Sequence, residues 1–158
     1  MTTKVRKCPT CGKGRLRNGE SVEEYEFGSV TFKVTVPASV CSACGEALVA
    51  GPDLQRAELA VAAKVAALGL VSAETFRFMR AAVGLKGLEL ARLLQVTPES
   101  LSRWENGKRE VDRSAWILLA DLVIDHVAGT RCRRERLEAM ATSQKLPKTV
   151  RVDLDATH

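Results

Sequence analysis

The sequence predicts an α+β protein in which a small, zinc-stapled β module is followed by an all-α helix-turn-helix domain. Two CxxC pairs, separated by an intervening segment, indicate the zinc staple. Between these pairs, apolar and polar residues alternate over Val30–Val36 with the period of a strand. From Ser72 onward, helix-capping residues recur at short intervals around amphipathic segments, which predicts several short helices.

The two cysteine pairs carry the most specific signal in the chain. Two residues between the cysteines let both sulfurs of a pair turn toward one point, and the glycine after each pair suits a tight backbone turn. Four thiolates form a closed tetrahedron that suits Zn²⁺ and leaves no position for water. The pattern therefore predicts one structural zinc ion per chain, held by Cys8, Cys11, Cys41 and Cys44. A redox dithiol or a pair of disulfides is the alternative interpretation.

The segment between the cysteine pairs predicts a β-hairpin. Val22–Phe27 and Val30–Val36 form its two strands, Gly28-Ser29 forms its turn, and Pro37 is expected to end the second strand. A module of this size buries too little apolar surface to fold alone. Zinc is therefore expected to supply folding free energy on the order of 10 kcal/mol.

Gly51-Pro52 marks a boundary, after which Asp53–Leu68 is rich in alanine and is expected to form a connecting helix that ends at Gly69. Beyond residue 128, Arg131–Met140 is expected to form a further helix and Thr149–Leu154 a short strand. The predicted division is a zinc-binding β module at 1–52, a connecting helix at 53–69, a helix-turn-helix DNA-binding domain at 70–128 and a C-terminal extension at 129–158.

Four helices are predicted within 70–128. Ser72 caps the first, Thr97-Pro98 opens the third and Asp112 caps the fourth. The second spans Gly87–Leu94, and a turn at 95–97 joins it to the third, which is a helix-turn-helix arrangement. Small and apolar residues are placed to fill the angle between these two helices, namely Ala91, Val96, Leu101 and Trp104.

The third helix is the candidate DNA-reading element. The N-terminal half of such a helix reaches base edges in the major groove, where the fork of Arg103 can pair with guanine and Glu99 can accept from cytosine. An ion pair between Glu99 and Arg103 on a solvated face is the alternative. Glu105 is expected to tie the domain together through a Lys or Arg. The predicted DNA-binding residues are Thr97, Glu99, Ser100, Ser102, Arg103, Lys108 and Arg109.

Composition bounds the remaining function classes. The chain has 158 residues and a net charge of +5, and residues 53–128 are neutral overall. Neither a signal peptide nor a membrane-spanning run is evident, and the unpaired Cys132 suits a reducing cytoplasm. The two histidines, His126 and His158, have no evident nucleophile partner, so the chain is predicted not to be an enzyme.

The stretch from Gly84 to Lys108 resembles the phage-repressor-like (Xre-type) helix-turn-helix family, with its Glu-Leu-Ala and Leu-Ser-Arg-Trp-Glu-Asn-Gly-Lys segments. With the CPxCG and CxxCGE knuckles in front of it, residues 8–128 resemble the MqsA/YgiT-type antitoxins. This resemblance implies an N-terminal domain that binds zinc and grips a ribonuclease toxin. It also implies a C-terminal domain that dimerises on a palindromic operator. Gly87 stands where many such domains carry Gln, so a phosphate-side contact of the family is not expected here. Glu99 stands where the MqsA-type proteins carry a base-reading Asn, so the operator sequence is expected to differ.

The chain is therefore predicted to be a cytoplasmic, dimeric DNA-binding repressor and the antitoxin of a type II toxin–antitoxin pair. A stand-alone zinc-containing regulator without a toxin partner is the alternative. A third hypothesis, an oxidoreductase that uses CxxC thiols, predicts a depressed thiol pKa and no bound metal. The absence of a βαβ pattern around either cysteine pair weighs against it.

Overall fold

A computed structural model describes residues 7–142 of the chain. An N-terminal antiparallel sheet with a four-cysteine cluster is followed by six helices, as the α+β prediction requires. The elements in chain order are β1 (Leu16–Phe27), β2 (Val30–Cys41), β3 (Ala47–Val49), α1 (Gly51–Leu68), α2 (Ala73–Ala82), α3 (Gly87–Leu93), α4 (Pro98–Glu105), α5 (Arg113–Val127) and α6 (Cys132–Ala141).

The sheet has the strand order β1-β2-β3, and the hairpin turns at Gly28-Ser29 as predicted, with Phe27 opposite Val30. Alternation gives the hairpin two faces. Tyr25, Phe32 and Val34 pack toward the helices, whereas the even-numbered residues from Asn18 to Glu26 are exposed to solvent. Because β1 pairs only with β2 within residues 7–142, its other edge is open along its length.

The prediction that Pro37 ends the second strand is wrong. β2 continues to Cys41, and Pro37 lies opposite Glu20 in the ladder. β3 pairs only with Ala38–Val40, so Pro37 lies just outside that pairing, where β2 has an open edge. Proline is tolerated at such an edge because its missing N–H breaks no ladder hydrogen bond there.

The helix boundaries follow the capping residues. Ser72 and Thr75 form a reciprocal capping box at α2, and Thr97 and Asp112 accept from the third backbone N–H of α4 and α5. Gly69 ends α1 in the left-handed conformation, with φ of 66°. These caps confirm the predicted starts of three helices.

The core lies among the helices. α1 packs against β2, α2 and α5, and its Val61, Ala62 and Val65 are fully buried. Phe76 and Leu119, from α2 and α5, are fully buried in the same cluster. α1 is thus part of the core, while the division of the chain into domains stays a prediction.

An aromatic group joins the sheet to the helices. Phe78 of α2 lies with its ring centroid 5.0 Å from that of Phe27 and 5.7 Å from that of Tyr25. Phe32 lies 5.9 Å from Phe27, edge to face. The tilted geometries are those that aromatic pairs favour, so the hairpin is held directly on α2.

The predicted C-terminal helix is present as α6. Arg134 forms an ion pair of 2.5 Å with Glu89 of α3, and Arg133 pairs with Asp125 of α5. The predicted strand Thr149–Leu154 lies outside the described residues. No helix found in residues 7–142 combines the length and the apolar character that a membrane crossing needs.

Candidate metal centre and helix-turn-helix surface

The four predicted cysteine ligands come together at one end of the sheet. Their sulfur atoms all lie within 4.8 Å of one another. The Cys8 and Cys44 sulfurs are 3.8 Å apart, and the Cys11 and Cys41 sulfurs are 3.7 Å apart. All four cysteines are free thiols. The arrangement is therefore a single potential metal site built from both knuckles.

These separations fit a tetrahedral zinc ion. Zinc–thiolate bonds of about 2.3 Å place the corners of a regular tetrahedron about 3.8 Å apart. A disulfide, by contrast, requires sulfurs about 2.05 Å apart. The four donors are soft and complete a closed shell, so the residues suit a structural ion.

Local backbone geometry prepares the sulfurs for a cation. Backbone N–H groups of Cys44 and Ala43 lower the pKa of the Cys41 thiol to about 6. The N–H of Gly14 lies 3.4 Å from the Cys11 sulfur and likewise lowers the pKa of that thiol. At Cys44, the backbone N–H of Glu46 lowers the pKa, but the neighbouring Cys41 and burial outweigh it and raise the pKa to about 12. A thiolate at Cys44 therefore requires a compensating positive charge nearby.

The two knuckles are also joined through their backbones. The N–H of Arg15 donates to the Ser42 hydroxyl at 3.1 Å, and the N–H of Ser42 donates to the Arg15 carbonyl at 3.0 Å. Cys8 and Cys41 are buried, whereas Cys44 is exposed, which leaves one side of the cluster open to solvent.

The helix-turn-helix is formed by α3 and α4, with Leu101 and Trp104 buried as predicted, at 2% and 4% exposure. α3 ends in a complete Schellman motif, since the N–H of Val96 reaches the Ala91 carbonyl and that of Gln95 reaches the Arg92 carbonyl. Gln95 adopts the left-handed conformation, with φ of 53°, where glycine is usual. Its side chain donates to the Met140 carbonyl of α6 at 2.9 Å.

α4 presents a polar surface to solvent. Glu99, Ser102 and Arg103 are exposed, and Ser100 is half-buried. The exposed Thr97 caps the helix by accepting from the Ser100 N–H at 3.2 Å. Within residues 7–142, no ion pair of 4.0 Å or less joins Glu99 to Arg103, so the alternative interpretation of these two side chains has no geometric support.

The loop after α4 carries the remaining predicted contacts. Lys108 and Arg109 are exposed, and both backbone N–H groups donate to the Arg103 carbonyl, at 2.9 and 3.2 Å. This fold-back fixes the loop directly beside the C-terminal end of α4. Two flexible cationic side chains therefore flank the polar surface of that helix.

Glu105 has the structural role predicted for it. Both oxygens accept from Arg80 of α2, at 2.5 and 3.1 Å, and a third guanidinium nitrogen of Arg80 donates to the Leu85 carbonyl at 2.7 Å. The pairing of Glu105 with Arg80 could not be predicted from the sequence, because 25 residues separate the partners. The left-handed backbone of Gln95 could not be predicted either, because no glycine marks the position.

The chain has been compared with known proteins. No curated protein matches it. Residues 6–130 match the family model described as the antitoxin component of bacterial toxin-antitoxin system, MqsA. The matched range includes both cysteine knuckles, the hairpin and helices α1–α5. The chain therefore belongs to the MqsA antitoxin family, whose members are antitoxins and not enzymes.

Proposed function

We propose that this antitoxin is a zinc-containing, dimeric repressor that binds its own operator with α4 and neutralises a ribonuclease toxin with its β module. The polar, exposed surface of α4 is the observation that carries the proposal. A helix that buries Leu101 and Trp104 on one side and exposes Glu99, Ser102 and Arg103 on the other is built to meet a polar partner.

One structural zinc ion per chain is held by Cys8, Cys11, Cys41 and Cys44. The mutual distances of the four sulfurs support this assignment. Zinc bound there would be structural, because the four sulfurs leave no position for water. Its binding free energy would contribute to folding, because the unfolded chain has no preformed site. Metal analysis of the purified, reduced chain tests the stoichiometry, with one equivalent expected.

In the DNA complex, α4 enters the major groove and Arg103 pairs with the O6 and N7 atoms of guanine. Glu99 accepts from a cytosine amino group, while Ser100, Ser102 and the Thr97 hydroxyl lie at the groove edge. Lys108 and Arg109 contact phosphates, because they are exposed directly after the helix. The operator is a palindrome whose half-sites meet the two copies of α4.

The DNA assignments are tested by fluorescence anisotropy with the upstream region of the gene. Arg103→Ala should weaken specific binding by about 1–3 kcal/mol with an unchanged thermal midpoint. Changing both Lys108 and Arg109 to alanine should weaken binding to all sequences and lower the salt slope by about 2. A large loss of stability in Arg103→Ala would instead make Arg103 structural and contradict its role in base reading.

The dimer is formed through the outer face of α5. Ile117, Leu118 and Ile124 are 50%, 37% and 42% exposed on this helix, and a second copy would cover them. Changing Ile117 and Ile124 to glutamate should give a monomer in sedimentation and weaken operator binding. Leu68→Gln, at an exposed apolar site on α1, is the matched control and should leave the dimer intact. A dimer that survives the double change would refute this interface.

The toxin is bound along the open edge of β1. This strand exposes Glu20, Glu24 and Glu26 on its outer face, beside a free row of backbone N–H and C=O groups. A basic, RNA-cleaving protein can add a strand to this edge and place cationic side chains against the carboxylates.

Growth of cells that express the adjacent open reading frame tests the toxin. Arrest that this chain relieves, with co-purification of the two proteins, is the expected result. Changing Glu20 and Glu26 to lysine should abolish co-purification, whereas operator binding should survive. No arrest and no complex would favour the alternative, a stand-alone zinc-containing regulator.

A further inference from the structure

Gly14 lies beside three of the four cysteines, namely Cys8, Cys11 and Cys41. Its N–H lies 3.4 Å from the Cys11 sulfur, and its carbonyl accepts from the Cys8 N–H at 2.9 Å. A Cβ atom at this position would lie 2.3 Å from the Cys41 sulfur. The glycine is buried, so the space around it is already filled.

The space at Gly14 is limited by the second knuckle. A Cβ atom would also lie 2.8 Å from the Ala43 Cβ and 2.9 Å from the Ala43 nitrogen. That nitrogen is the donor that lies 3.4 Å from the Cys41 sulfur. Any side chain at position 14 must therefore move the sulfur, the backbone that orients it, or both.

Backbone conformation does not explain the glycine. Gly12, Gly28 and Gly45 have positive φ values, but Gly14 does not. An alanine could thus adopt the backbone of residue 14 without left-handed strain. What the position requires is the absence of a side chain, because the Cys41 sulfur occupies that volume.

We propose that Gly14 is a positioning residue of the metal centre, which lets the two knuckles approach until their sulfurs reach tetrahedral spacing. This inference rests on the proposed zinc site. Substitution of a residue that orients metal ligands commonly lowers metal affinity by about 10–100-fold. The loss should be of this size for Gly14→Ala, although every ligand is retained.

The test is metal binding by the reduced full-length chain. Zinc affinity is measured by competition with a chelator, and cobalt substitution reports the number of sulfur ligands through its thiolate charge-transfer band. Gly14→Ala should show weaker zinc binding and a weaker band, because the Cys41 sulfur is displaced. Gly51→Ala is the matched control, because Gly51 lies outside both knuckles and, like Gly14, has no positive φ, whereas no atom lies within 4 Å of its added Cβ.

A second variant distinguishes the steric effect of the Cys41 sulfur from that of the Ala43 side chain. Ala43→Gly removes the 2.8 Å clash but leaves the 2.3 Å clash with the sulfur, so it should not rescue Gly14→Ala. Rescue would overturn the assignment, and so would unchanged affinity and spectrum in Gly14→Ala or an equal loss in Gly51→Ala. If the unsubstituted chain binds no zinc, the proposed metal site itself fails, which is a different result.

Discussion

The β module and the helices bury very different sets of side chains. In the described part of the β module, the buried apolar residues and cysteines are Cys8, Phe27, Val36, Ala38 and Cys41, and two of these are metal-ligand candidates. The helices bury a continuous cluster that includes Phe76, Leu90, Leu119 and Val123 at 0% exposure. The comparison indicates that a metal bound by four sulfurs can supply folding free energy that the small buried apolar surface of the sheet does not.

The two regions are nevertheless in contact. Phe78 packs against Tyr25 and Phe27 of the hairpin, so these two side chains are part of the same hydrophobic cluster as the helices. Loss of the proposed metal should therefore affect mainly the β module, while the helices should lose only their contacts with the hairpin, which are those of Phe78 and of α1 with β2. Each of the following changes tests one side of that comparison or the junction between the two regions.

Cys41→Ser should have the largest effect. It removes one of the four proposed zinc ligands and with it the folding free energy expected from zinc, on the order of 10 kcal/mol. Amide signals of β1 and β2 should collapse in an NMR spectrum, whereas those of α5 should remain dispersed. Cys132→Ser, at an exposed cysteine outside the cluster, is the control. Simultaneous unfolding of α5 would contradict the comparison.

Among substitutions of charged residues in the helices, Arg80→Ala should lower the free energy of unfolding most. It leaves Glu105, whose side chain is 12% exposed, without a cation, and such losses cost about 3–5 kcal/mol. Denaturant unfolding measures the cost. The double variant Arg80→Met/Glu105→Leu should be more stable than the single one, because no buried charge is left unpaired. Zinc stoichiometry should not change in either variant.

Phe78→Leu tests the junction. Loss of its two aromatic contacts should destabilise the chain by about 1 kcal/mol. It should also make the thermal midpoint of the helices less sensitive to zinc removal. Phe76→Leu is the comparison, because that ring contacts Trp104 inside the helical core and not the hairpin. If zinc removal shifted the thermal midpoint of the helices equally in Phe78→Leu and in the unsubstituted chain, Phe78 would not couple the stability of the helices to that of the β module.

Low pH should weaken the contact between Asp125 of α5 and Arg133 of α6. The backbone N–H of Arg133 chiefly lowers the pKa of Asp125, and this outweighs the effect of burial. Because the native pKa is depressed, the stabilisation is present above the unfolded pKa of about 3.9 and is lost as pH falls through the lower native value. Asp125→Asn should remove this pH dependence below about pH 4 in denaturant titrations. An unchanged acid profile would contradict the role of Asp125.

Glu24→Gln should have the smallest effect on stability. Its 2.7 Å ion pair with Lys33 is exposed at both ends, and such pairs contribute little. The thermal midpoint should not move measurably, whereas affinity for a basic toxin should fall. Lys33→Gln should have the opposite effect on that affinity. Equal effects of the two changes would exclude a role for charge on this face.

Features that depend on neighbouring residues could be predicted from the sequence. The cysteine spacing indicated one four-sulfur site, and Ser72, Thr97 and Asp112 marked helix starts, because caps and knuckles are formed by a few consecutive residues. The turn Gly28-Ser29 was found for the same reason. Local chemistry was sufficient in each case.

Features that depend on the tertiary arrangement could not be predicted. Pro37 is tolerated only because β3 is short, which the sequence does not state. Arg80 pairs with a residue two helices away, and Gln95 is held in a left-handed conformation beside a carbonyl of α6. Gly14 resembles any turn glycine until the sulfur of Cys41 is placed next to it.

The open edge of β1 also bears on self-association. An unpaired strand of 12 residues is a template for pairing with another copy of itself, which is a route to aggregation. If two such strands paired antiparallel with Glu23 opposite Glu23, Glu20 of each copy would lie opposite Glu26 of the other, and like charges across a strand pair destabilise it. On the proposal that β1 binds a basic toxin, the acidic row would disfavour pairing of β1 with a second copy and leave the edge available to a basic strand.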